Sequence, residues 1–123
     1  MKSKIFFALV LLIGLTTGCH YDVVAPADPN APPQDVSYSA DLQPIWDANC
    51  TSSGCHGGGH NPLLTSGESY NAIIDGGYVN TATPTESVLY KVLNQGSMPP
   101  TGKLPSSDIQ KVLDWIRNGA PNN

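Results

Sequence analysis

The sequence predicts a small all-α domain of three to four short helices. Three observations lead there. Apolar residues recur at helical spacing in four separate segments, the segments are divided by glycine and proline clusters, and no stretch alternates apolar and polar residues in the manner of a strand. Internal repeats and phosphate-cradling glycine signatures are also missing. A chain of 123 residues has room for one such domain.

Residues 1–18 read as an export signal. Lys2 and Lys4 give a short basic start, and Ile5 to Leu15 is apolar apart from Gly14. At about eleven residues the run is too short to span a bilayer, which takes roughly twenty. It closes on Leu15-Thr16-Thr17-Gly18-Cys19, which resembles the bacterial lipoprotein signal, with Thr16 where leucine is usual. The resemblance implies that Cys19 is lipidated and becomes the new N-terminus; ordinary cleavage near Gly18, leaving a free thiol, is the alternative. Residues 19–36 carry Pro26, Pro29, Pro32 and Pro33 with Asp22, Asp28 and Asp35, the composition of a semi-extended, solvated tether. His20 is read as part of that tether. The domain proper is expected over residues 37–120.

The first helix is expected from Asp41 to about Asn49, with Leu42, Ile45 and Trp46 as its apolar stripe. An N-cap at Ser39 or Asp41 would place Pro44 in or near the first turn, where an amide has no partner to lose. The helix delivers Cys50, and Cys50-Thr51-Ser52-Ser53-Gly54-Cys55-His56 follows. Two thiols with an imidazole directly after the second make the arrangement that attaches a haem: each cysteine adds across a vinyl group, and the histidine becomes the proximal iron ligand. The usual spacing has two residues between the cysteines and this chain has four, so Thr51 to Gly54 must bulge outward. Gly57-Gly58-Gly59 allows a close backbone approach, to a porphyrin edge or within a loop. His60 is a competing ligand, although four residues from His56 it would have to wrap round the ring.

Thr65 and Glu68 form a capping-box pattern ahead of a second helix that buries Tyr70, Ile73 and Ile74 and stops at Asp75-Gly76-Gly77. Tyr78 lies in the following polar connection. A third helix is expected from about Thr85 to Asn94, with Glu86 in its first turn and Val88, Leu89, Val92 and Leu93 apolar. Gly96-Ser97-Met98-Pro99-Pro100 then presents the one methionine besides Met1. Its thioether is a soft, neutral donor suited to haem iron, and the prolines fix its direction; a gap-filling methionine is the plain alternative. Ser107 and Gln110 give a second capping-box pattern. Ile109, Val112, Leu113 and Ile116 trace the last helix, which Gly119 and Pro121 end, with Trp115 off the centre of the stripe.

From Ser37 to Ala120 the chain resembles small single-haem cytochromes c of the class I type. The motifs that carry the resemblance are Asp41-Leu42-Gln43-Pro44-Ile45-Trp46, the wide Cys-x4-Cys-His, Met98-Pro99-Pro100 and Trp115-Ile116-Arg117-Asn118-Gly119-Ala120. Similar domains are exported by bacteria, often as lipoproteins. The resemblance implies one covalent haem c on Cys50 and Cys55, with His56 and Met98 as axial ligands. It also implies crossed first and last helices that bring Leu42, Ile45 and Trp46 near Ile109, Leu113 and Ile116. The implied function is one-electron transfer to redox partner proteins, with no enzymatic step, in the periplasm or on the cell surface.

Without the signal, the charge is 4 − 10 = −6 with histidines neutral. A chain this acidic has no basic stripe for phosphates, which excludes nucleic acid as a natural partner and weakly favours partners with basic patches. Three other readings stay open at this point: a haem enzyme or sensor with displaceable Met98, a non-haem metal site of Cys50, Cys55, His56 and His60, and a structural Cys50–Cys55 disulfide.

Overall fold

The computed structural model describes residues 25–123, so the expected signal segment and the expected lipidation site at Cys19 lie outside the described residues. Among the described residues the regular structure is helical throughout, without a strand, and no helix is long and apolar enough to cross a membrane. The all-α expectation stands.

The first helical segment begins earlier than expected, for a reason that involves Pro44. A π-helical turn, Tyr38–Leu42, leads into α1, Gln43–Asn49. The cap is Ser37, whose hydroxyl accepts from the Ala40 amide at 3.2 Å, and neither Ser39 nor Asp41 serves. Pro44 has no amide to give Ala40, and the preceding turn is wound wider, with the Gln43 amide on the Tyr38 carbonyl. Helix α2 spans Ser69–Asp75. Its expected capping box does not form: Glu68 makes no side-chain cap, and the Thr65 carbonyl, not its hydroxyl, receives the Glu68 and Ser69 amides. Gly77, at φ +72°, ends the helix.

The third helix starts three residues late. Pro84–Glu86 is a single 3₁₀ turn, Ser87 is extended (ψ 131°), and α3 runs Val88–Asn94. The buried Ser87 hydroxyl explains the break, because it accepts from the Asn80 amide at 2.9 Å and so ties the connection down. Glu86 is left outside the helix and pairs with Lys91. Helix α4 is Ser106–Arg117, entered from Pro105, whose carbonyl takes the Asp108 and Ile109 amides. Ser107 does not cap it, because it lies inside the helix, and Gln110 turns its side chain towards the N-terminal segment and Asp114.

One core joins these pieces. Leu42, Trp46, Ile73, Ile109, Val112, Leu113 and Ile116 are fully buried in it, or nearly so. The crossing with α4 is made chiefly by the Tyr38–Leu42 turn, and α3 packs along the same helix. Trp115 is completely buried, contrary to its off-stripe position. It stacks among Tyr38 and Tyr70, and its Nε1 donates to the Pro121 carbonyl at 2.8 Å. A polar chain threads the centre: Tyr38 Oη donates to Ser69 Oγ (2.8 Å), Ser69 donates to Gln43 Oε1, and Gln43 Nε2 donates to the Leu64 carbonyl (3.0 Å). It ties the first helical segment to α2 and the loop between them.

Candidate functional site

Helix α1 ends where the wide cysteine loop begins. Cys50 is its C-cap residue, with its amide on the Trp46 carbonyl at 2.8 Å. The four intervening residues bulge outward as the spacing requires. Thr51 Oγ1 donates back to the Asp47 carbonyl (3.0 Å), the Cys55 amide to the Ser52 carbonyl (2.9 Å), and the His56 amide to the Cys50 carbonyl (3.0 Å). Gly54 takes the left-handed conformation, φ +82°, that the tight loop needs. The glycine run packs on this loop itself: a Cβ at Gly57 would collide with the Thr51 carbonyl oxygen.

His56 is oriented by a main-chain acceptor. Its Nδ1 lies 2.9 Å from the Pro62 carbonyl oxygen. A carbonyl only accepts, so Nδ1 carries the proton and the Nε2 lone pair is left for a ligand. The His56 carbonyl is itself held by the Leu64 amide at 2.8 Å. Sequence reasoning missed Pro62, and it had to, because a backbone carbonyl leaves no mark in residue type.

Across from this loop, the Val92 carbonyl receives the Ser97 and Met98 amides (3.0 and 3.1 Å), which pins the methionine loop to the end of α3. Pro99 is buried and Met98 is 41% exposed. One cavity of about 550 Å³ is lined by Cys50, Cys55, His56 and Met98 together, although His56 and Met98 are 42 residues apart in sequence (98 − 56). Its size is that of a small-molecule or cofactor site. Trp46, Leu64, Ile73, Leu89, Val92 and Leu93 form the apolar floor of the remaining wall, and among the described residues no Asp, Glu, Lys or Arg contributes to it. Tyr78 and His60 also reach the wall, Tyr78 half-buried and His60 exposed. The apolar residues of α3, read from sequence only as a core face, are thus partly cavity wall.

Burial pushes the Cys50 thiol up to about 11, with the neighbouring Cys55 adding to the shift, so Cys50 is a neutral thiol at ordinary pH. Ser52 Oγ lies 3.3 Å from Cys55 Sγ. The two cysteines are not bonded to each other. Among the described residues no three His, Cys, Asp or Glu side chains converge as ligands to one ion. The donors are spread round an apolar chamber, an arrangement that fits a large flat group held at its edge and by its central metal. Trp46 Nε1 is buried without a partner of hydrogen-bond geometry, and it favours the ionised Tyr38 hydroxyl weakly against the larger effect of burial. It therefore gives no support to a ligand in the cavity.

Comparison of the chain with protein-family models, with curated proteins and with solved structures returned no match.

Proposed function

We propose that the chain is an exported, membrane-tethered c-type cytochrome with a class I-like fold that carries single electrons. The observation that carries this reading is the shared cavity. The two thiols of a haem-attachment motif, the imidazole beside them and a distant thioether all line one apolar chamber. Cys50 and Cys55 would hold the porphyrin edge, and His56 and Met98 would hold its iron. A haem so ligated supplies a one-electron couple without an open coordination position, and the neutral sulfur favours the reduced state.

The residues of the chain supply the rest. The Pro62 carbonyl fixes the His56 tautomer, the wall carries no charged side chain, and the Val92 carbonyl pins the loop that presents Met98, so little would need to rearrange between oxidation states. The non-haem metal reading is weakened by the lack of a converging ligand set among the described residues. The disulfide reading leaves the chamber and Met98 without a purpose.

The test is intact mass and visible spectrum on the Cys19→Ala chain, exported by a host that attaches haem to cysteine. One added haem that survives acid–organic denaturation, with a low-spin six-coordinate spectrum in the folded protein, supports the reading. A chain without haem, from a host that matures a control cytochrome, overturns it.

A further inference from the structure

The proline-rich segment ahead of the helices is docked on α4. The Asp28 amide donates to Gln110 Oε1 (2.7 Å), and the Gln34 amide to Asp114 Oδ2 (3.2 Å). In return, the Arg117 guanidinium donates to the Ala31 carbonyl and Asn118 Nδ2 to the Gln34 carbonyl (2.7 Å). Val36 is buried and Ala27 packs against the core. The four holding side chains recur at helical spacing (110, 114, 117, 118), so they form one stripe at the strap's edge. Asp114 is only 2% exposed, a depth at which a carboxylate must be surrounded by donors; Gln34, Gln110 and Arg117 provide them. Pro29, Pro32 and Pro33 stiffen the segment before it docks and carry no amide that docking could strand. No residue of the strap, and none that holds it, lines the cavity.

We propose that residues 28–36 act as a guide strap, which leads the chain from its membrane attachment along α4 and keeps it off the cavity mouth. The meaning of the guide rests on the electron-carrier reading above; the docking does not. The end of the strap beside Gln110 stays nearest the anchoring surface, and the cavity remains open to a partner.

Hydrogen exchange on the full Cys19→Ala chain tests the docking. The Asp28 and Gln34 amides should exchange at least about tenfold more slowly than in a free chain. A Gln110→Ala/Asn118→Ala double variant, which removes the Asp28 acceptor and the donor to the Gln34 carbonyl, should lose the protection at Asp28 while α1 and α2 keep theirs. Free-chain exchange at both amides in an otherwise protected protein overturns the strap. For the guide, the haem-loaded chain is coupled through Cys19 to phosphatidylcholine vesicles bearing maleimide headgroups, with a fluorophore at the bilayer surface. Releasing the strap should change quenching of that fluorophore by the haem; unchanged quenching overturns the guide. A chain with a protected strap and no attached haem sinks the electron-carrier reading, and the guide with it, but leaves the docking standing.

Discussion

His56 and Pro62 are joined through a ring nitrogen and a main-chain carbonyl 2.9 Å apart, and this bond decides which face of the imidazole is basic. Nδ1–H points into the loop, leaving Nε2 as the donor atom. Outer partners of this kind fix tautomer and ring orientation. On the reading proposed above, an imidazole set in this way would have little left to order if it bound a metal.

His56→Ala should therefore attach haem through Cys50 and Cys55 yet lose the low-spin spectrum. Added imidazole should restore it, because the substitution removes the donor and leaves a space of its own shape. A low-spin spectrum in the variant without imidazole would show that another side chain, His60 foremost, is the ligand.

Met98 is presented by a loop pinned to Val92 and sits partly exposed at the cavity edge. Met98→Ala should open the sixth position, bind cyanide or imidazole readily, and lower the reduction potential, because a neutral sulfur ligand favours the reduced iron. Titration by spectroelectrochemistry reads both effects. An unchanged potential in the variant would remove Met98 from the coordination sphere.

Much of this arrangement is legible in the sequence, and the remainder fails for identifiable reasons. The cysteine loop and the methionine loop are chemical signatures, so their residues announce themselves and the fold only has to bring them together. The stripes of Leu42, Ile45 and Trp46 and of Ile109, Leu113 and Ile116 likewise mark their helices. Helix starts were less readable. Ser37, Ser87 and Gln110 each had several partners within reach, and tertiary contacts decided among them: Gln110 abandons its capping pattern to hold Asp28 and Asp114. Trp115 looked peripheral because the stripe counts only contacts with other helices, whereas Tyr38, Tyr70 and the chain after α4 enclose it from the other side.

Asp114 supports a further prediction. Its carboxylate receives the Gln34 amide and Gln110 Nε2 and lies 3.5 Å from Arg117, nearly out of contact with water. Asp114→Ala strands these donors and should cost about 3 kcal/mol. Urea unfolding of the haem-loaded protein measures it, and a loss under about 0.5 kcal/mol, the range of an ordinary surface change, would contradict the buried role.

Tyr38 gives a pH-dependent prediction. Burial raises its pKa, against smaller opposing effects from Ser69 and Trp46, so the folded state prefers the neutral phenol. A raised folded pKa stabilises fully below the unfolded value of about 10 and loses that contribution as pH rises through the folded value. Tyr90, also raised by burial, adds to the same alkaline loss. Tyr38→Phe should cost about 1 kcal/mol at pH 8 through the lost bond to Ser69. It should also lose less stability than the wild type between pH 8 and 11. Urea midpoints at both pH values decide it, and equal alkaline losses would contradict the assignment.

The cavity predicts the behaviour of a haem-free chain. Closed apolar voids cost about 24 cal/mol per Å³, so if only half of the roughly 550 Å³ behaved as closed void the penalty would be near 7 kcal/mol. That is comparable to the whole stability of a small domain, about 5–15 kcal/mol. Solvent entering the chamber would instead wet Val88, Leu89 and Val92, which have no polar groups to offer it. Either way the cavity flank of the core lacks a filler, and small domains depend on such staples. A Cys50→Ala/Cys55→Ala chain expressed without haem should therefore show reduced helicity and no cooperative melt by circular dichroism. A sharp transition in that variant would mean that α1 to α4 hold together without a bound group, and that the chamber is a pocket in a self-sufficient bundle.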